Sequence, residues 1–145
     1  MSERDKKMNK DVIVDIKGKH DNGNNEEIHL SGNGSYHMEH GVHFVKFEHT
    51  FEGSDKPTRN FLKIDGNRVE LKRFGTGASH MIFEKGNVNY THYQTALGVL
   101  DTGFDTKEIQ IEEEDDKIVV KIRYHIVMDG EKISASDIEI KISNH

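Results

Sequence analysis

Apolar side chains recur at every second position from Asp11 almost to the C-terminus, in short runs broken by Gly, Asn and Asp. A period of two belongs to a β-strand, whose successive side chains point to opposite faces of a sheet. It is incompatible with a helical stripe that returns every three or four residues. The clearest run is Ile118, Val120, Ile122, Tyr124, Ile126 and Met128, which hold one face of a single strand. Val12, Val14 and Ile16 do the same near the start, and Ile138, Ile140 and Ile142 near the end. Between the runs stand Asn22-Gly23, His40-Gly41, Asp65-Gly66-Asn67, Glu84-Lys-Gly-Asn87 and Asp129-Gly130, residues that tolerate the positive φ of tight hairpins.

About ten strands joined by nearest-neighbour hairpins follow from this rhythm. Ala96 to Thr106 reads as the least regular stretch, with Ile109 and Ile111 opening the next hairpin. Gly32 and Gly34 fall in frame on the apolar face of the strand from Glu27 to Glu39. In-frame glycine marks a bulge or sharp coil, the means by which a sheet curls. An up-and-down antiparallel meander leaves two open edges unless it closes, so the all-β prediction is a closed barrel, with a flattened two-sheet sandwich as the alternative. Residues 1–9 are charged and aperiodic and read as a flexible N-terminal tail, and residues 10–145 as a single β-barrel domain.

Composition narrows the partners. A chain of 145 residues buries about 70% of its unfolded surface. With 33% hydrophobic against 32% charged residues, its core is fed from one face of each strand. The net charge is −6, from 26 acidic and 20 basic side chains, which disfavours a nucleic-acid partner held by phosphate neutralisation. Without cysteine there is no disulfide, thiolate zinc site or cysteine nucleophile. No apolar run approaches the roughly 20 residues that span a bilayer, and the first ten residues lack the apolar core of a signal peptide. The expectation is a soluble cytoplasmic protein with no membrane partner.

The centre of the chain resembles a known family. Met81-Ile-Phe-Glu-Lys-Gly86, then Tyr93-Gln-Thr-Ala-Leu-Gly-Val-Leu100 and Thr106, are similar to the YwiB-like proteins of Gram-positive bacteria. Gly34-Ser-Tyr36, Phe47-Glu48, Leu62-Lys-Ile64 and Asp129-Gly130 agree in order and spacing, from Asp11 to Ile142. A turn in which the family often carries proline has Ala96-Leu97 here. The resemblance implies a calycin-like barrel, the architecture of lipocalins and fatty-acid-binding proteins. It implies no activity, since the family is of unknown function.

Ten histidines are the most conspicuous polar feature. His37-Met-Glu-His40-Gly-Val-His43 looks like a metal cluster until the turn is drawn. With His40-Gly41 as a two-residue hairpin, Met38 pairs with His43 and His37 with Phe44, which puts His37 and His43 on opposite faces. The histidines therefore read as surface residues, and no metal is expected. Arg73 continues the face of Val69 and Leu71, Tyr36 shares a face with Met38, Met81 shares one with Phe83, and Tyr90 and Tyr93 oppose each other. Tyr36, Arg73, Met81, Phe83 and Tyr93 are thus the candidate lumen residues for a small apolar or amphipathic ligand. The acidic run Glu112 to Asp116 lacks the alternating ligands of a calcium loop and reads as a solvated hairpin tip.

No constellation of groups gathers around one reacting atom, so neither an enzyme nor a cofactor is expected. Two readings from different classes remain. One is a binding barrel with a ligand in its lumen. The other is a non-catalytic interaction module that uses outward residues such as Val42, Phe44, Val119 and Val127 to meet a protein partner or a second copy in a homodimer.

Overall fold

Ten strands carry the chain: β1 (Asp11–Asp21), β2 (Glu26–Glu39), β3 (Val42–His49), β4 (Thr58–Asp65), β5 (Arg68–Phe74), β6 (Ser79–Glu84), β7 (Val88–Thr95), β8 (Gly98–Glu113), β9 (Lys117–Met128) and β10 (Glu131–Asn144). This computed structural model describes residues 8–21, 26–50, 53, 55–74, 79–95 and 98–145, without the side chains of Glu26, Tyr93, Gln94 and Thr95. Most of the expected tail, the Asn22-Gly23 turn and Ala96-Leu97 lie outside the described residues. Met8 packs against the core, and the Asn9 N–H donates to Asn144 Oδ1 at 2.6 Å.

All the strands form one antiparallel sheet in the order β6-β5-β4-β3-β2-β1-β10-β9-β8-β7. The first and last strands pair along their lengths, Val12 with Asn144 through Asp21 with Ala135. The two ends of the sheet are therefore β6 and β7, which are adjacent in sequence. The sheet curls until they face each other, giving a nearly closed barrel. The predicted hairpin between β6 and β7 is corrected: among the described residues no ladder joins them. Thr106 of β8 takes the polar groups of that turn instead. It accepts from the Gly86 N–H at 3.0 Å, donates to the Asn87 carbonyl at 3.2 Å, and receives the Glu84 N–H on its hydroxyl at 3.2 Å.

A second correction concerns Ala96 to Thr106, where a continuous strand runs from Gly98 through Glu113. Its alternation is broken by a bulge between Thr106 and Glu108. Thr102, Phe104 and Thr106 face inward before it, and Ile109 and Ile111 after it. An extra residue reverses the parity, so one strand reads in sequence as disorder followed by a new strand.

Gly32 and Gly34 mark a close approach between strands rather than a bulge. A Cβ on Gly34 would stand 2.3 Å from the Lys46 carbonyl oxygen, and one on Gly32 would stand 2.3 Å from that of Glu48. At His40 (φ 52°) and Gly41 (φ 80°) the chain makes the tight turn expected of it.

The described inward positions are mostly apolar and buried. Val12, Val14, Val45, Phe47, Leu62, Ile64, Val69, Leu71, Phe83, Ile118, Val120, Ile122, Ile140 and Ile142 are all buried in one continuous cluster. Phe83, Phe104 and Tyr124 meet inside it, with Phe83 and Tyr124 ring centroids 4.7 Å apart.

Candidate functional site

β3 measures the barrel from one end to the other, and a histidine stands at each end of its inner face. His43 and His49 are buried, 4% and 9% exposed, which corrects the expectation that the histidines lie on the surface. They share the parity of Val45 and Phe47, so the strand carries them inward. Buried imidazole nitrogens are stabilised by hydrogen-bond partners, and neighbouring strands supply them for both nitrogens of His43 and for Nδ1 of His49. Six residues of strand put the two rings about 20 Å apart.

At the first end His43 Nε2 lies 2.7 Å from Glu113 Oε1, and Nδ1 lies 2.8 Å from the Tyr36 hydroxyl. The carboxylate only accepts, so Nε2–H donates to it, and in that tautomer Nδ1 accepts from Tyr36 O–H. Burial, and after it the charge of Glu113, raises the Tyr36 pKa, so the phenol keeps its proton. Glu113, expected to be part of a solvated tip, instead extends from the end of β8 across to β3 and clasps the barrel. The rest of the acidic run does form an exposed hairpin tip, with the Glu114 N–H donating to the Lys117 carbonyl.

At the second end Arg73 Nε donates to Asn60 Oδ1 at 3.3 Å, and the Asn60 amide faces His49 Nδ1 at 3.1 Å. The arginine fixes the amide orientation, so Nδ2 donates to His49 and the His49 proton sits on Nε2. Burial, and then the Arg73 charge, lowers the His49 pKa below its ordinary value. The cluster is a clamp of neutral donors and acceptors around one guanidinium.

The four candidate lumen residues whose side chains are described stand in different parts of the barrel. Tyr36 belongs to the first polar end and Arg73 to the second. Phe83, fully buried, is part of the packed core, and Met81 is half-buried at its margin. The Tyr93 side chain lies outside the described residues. His37 and His43 do stand on opposite faces, as the register Met38–His43 and His37–Phe44 requires. Among the described residues no three His, Asp or Glu side chains converge as metal ligands.

The outer face of β3–β5 is built differently. Phe44 pairs with Lys63, Lys46 with Phe61, Phe61 with Lys72, and Arg59 with Phe74. This register sets Phe44, Phe61 and Phe74 on one straight diagonal, at steps of about 8 Å. Lys46 and Arg59 line one side of it, and Lys63 and Lys72 the other. Phe74 is 48% exposed, and the Phe61 and Phe74 rings meet edge to face at 5.4 Å. Lys46 Nζ lies 5.8 Å from the centre of the Phe61 ring, and His37 stacks on Phe44 at 5.0 Å. A groove of about 370 Å³ follows the stripe, lined by all three phenylalanines and three of the cations.

Sequence comparison agrees with this architecture. The family model for DUF1934, a domain of unknown function, matches residues 14–140. The chain belongs to that family. Its fold is similar to that of the YwiB protein from Bacillus subtilis, with a TM-score of 0.79 and 18% identity over 94% of this chain and 92% of the other. The resemblance to YwiB-like proteins read from the sequence is thereby confirmed, as is the ten-stranded antiparallel barrel. No curated protein matches the chain. Among the described residues no helix is long and apolar enough to cross a membrane.

In this DUF1934 domain the sequence reading picked out Phe44 as an outward apolar residue but missed the stripe. Parity alone places Phe44, Phe61 and Phe74 outward. Only the register of three strands aligns them.

Proposed function

We propose that this domain is a non-catalytic binding module that meets a macromolecular partner on the outer face of β3–β5, while its interior is structural. The observation that carries this reading is the packed interior. A site for a small organic ligand needs roughly 300–1,000 Å³ of shaped space. Here Phe83, Leu62, Ile64, Leu71 and the aliphatic residues around them fill the barrel, each no more than 2% exposed. The two histidine clusters close the ends with hydrogen bonds directed at each other and offer no reacting pair around open space. The outer face, by contrast, keeps large apolar rings in contact with water. Apolar rings rimmed by polar groups are what protein-recognition surfaces present.

Within this reading the calycin-like label describes architecture and carries no ligand. The cytoplasmic setting expected from the sequence is kept. The test is native mass spectrometry of the protein purified from its own host, alongside the Phe61→Ser/Phe74→Ser variant. A bare chain mass, with a protein partner held by the wild type and lost from the variant, supports the reading. A stoichiometric small molecule retained inside the folded chain would overturn it.

A further inference from the structure

The four cations beside the phenylalanine stripe gather on one face of a chain that is acidic overall. Elsewhere on the surface Lys19 lies by Glu27, Lys107 by Asp105 and Arg123 by Asp137, all within 4 Å. A groove of about 570 Å³ on the far side of the barrel mixes cations and carboxylates, the pairs Lys19–Glu27 and Arg123–Asp137 among them. Among the described residues Lys46, Arg59, Lys63 and Lys72 have no carboxylate within ion-pair distance, although the chain as a whole carries −6. Two acids share this face: Glu48 stands across from Arg59 and Glu70 across from Lys63, and Glu70 is also engaged by His80 and Arg68. Burial alone would raise the Glu70 pKa, but the His80 hydrogen bond and charge, with help from Lys72 and Arg68, bring it below the usual carboxylate value. That acid therefore stays ionised and occupied, and with four cations against Glu48 and Glu70 the face keeps an excess of positive charge for a partner.

We propose that the stripe is the docking site for an amphipathic, acidic segment of a protein partner, lying along Phe44, Phe61 and Phe74 with carboxylates on both of its flanks. This rests on the binding-module reading and names the chemistry of what binds. The stripe is about 16 Å long, the length of about 11 residues of helix at 1.5 Å each. An amphipathic helix carries its charged residues on both sides of one apolar stripe, and here cations wait on both sides of an apolar stripe.

A single-stranded nucleic acid fits the same face less well. Bases need open ring faces to stack on, but Lys46 lies over Phe61 and His37 covers Phe44. A phosphate backbone also runs along one side of its bases rather than both. A second copy of this chain fits poorly too, since a two-fold contact through this face would set the cation rows against each other.

The experiment is selection of a random 16-residue peptide display library on the intact protein, followed by anisotropy titration of the enriched peptides. The titrations use wild type, Phe61→Ser/Phe74→Ser and Lys46→Glu/Lys63→Glu/Lys72→Glu, each checked for an unchanged thermal transition. The enriched peptides should carry net negative charge with apolar residues at helical spacing. Either variant should weaken them about tenfold or more, as should raising salt from low to high ionic strength. Peptides that need the phenylalanines but are neutral or basic would overturn this inference and leave the binding-module reading standing. Peptides indifferent to the phenylalanines, or no enrichment at all, would sink both. Tighter binding of an oligouridylate than of any peptide, lost in the lysine variant, would overturn it in favour of a nucleic-acid face. Concentration-dependent self-association through the same residues would overturn it in favour of a homodimer.

Discussion

Whether the barrel is a container or a solid scaffold can be decided at Phe83. Its side chain is fully buried, with the Tyr124 ring centroid 4.7 Å away and that of Phe104 5.8 Å away. Truncation to alanine removes most of the 150–250 Å² that a buried aromatic contributes. At about 25 cal/mol per Å² this is about 3 kcal/mol of lost burial. The void left among Val69, Phe104 and Tyr124 adds a cavity cost, for a total of about 3–5 kcal/mol. A loss of that size is a large part of the 5–15 kcal/mol typical of a folded domain. It should lower the thermal midpoint by about 10 °C and the urea midpoint by about 2 M at constant m. The variant, and not the wild type, should then be stabilised by benzene, since a dry aromatic-sized cavity binds it. A loss below about 1 kcal/mol, or equal stabilisation of the wild type by benzene, would show that the ring borders an existing lumen. Either result would refute the solid interior, and the binding-module reading with it.

Three further perturbations test the polar ends and the curl. Burial and Arg73 keep His49 neutral in the fold, where the unfolded chain takes a proton near pH 6.5. Stability should therefore fall as pH drops below about 6.5, until the lowered folded pKa is reached. His49→Asn keeps an acceptor for Asn60 without a titrating ring. It should flatten this part of the pH profile in urea titrations, and an unchanged slope would count against the assignment. Tyr36→Phe leaves a buried His43 nitrogen without its donor and should cost about 1–3 kcal/mol, whereas water can replace much of what Glu113 gives, so Glu113→Ala should cost less. Equal costs would contradict the burial argument. Gly34→Ala should cost about 2 kcal/mol or more, because the obstacle is the Lys46 carbonyl of a paired strand and not a side chain that can swing aside. Unfolding equilibria close to wild type would show that the two strands separate easily there.

The fold was legible wherever one face of a strand is apolar for its whole length, as from Ile118 to Met128. It blurred where parity changes, because a bulge at Lys107 turns one strand into two mismatched halves. The site was less legible. A histidine on an inner face has the same letter as one in water. His43 and His49 are given away only by sharing parity with Val45 and Phe47, and by Asn60 sharing parity with Leu62 and Ile64. Arg73 could be placed inward because Val69 and Leu71 precede it, but its partner Asn60 lies across a strand pair. The phenylalanine stripe is further still from the sequence. Three residues spread over thirty positions align only once two registers are known, and register is set by the turns between them.

The two faces of β3 are linked by the same pleat. Its inner residues are pinned at both ends, by His43 to Tyr36 and Glu113 and by His49 to Asn60, with Val45 and Phe47 locked in the core between them. Its outer residues, Phe44 and Lys46, are therefore held at fixed spacing against Phe61 and Lys63 of the next strand. A partner meeting such a face orders few side chains on this molecule when it binds, and the entropy lost at an interface is a main reason that buried area fails to become affinity. A filled barrel is thus consistent with a binding role, because the packing that leaves no room inside is what keeps the outer stripe straight. On this argument a substitution such as Phe83→Ala should weaken peptides selected on the stripe even though Phe83 never reaches the surface. Unchanged affinity in a Phe83→Ala protein that remains folded would mean that the outer face holds its geometry without the core.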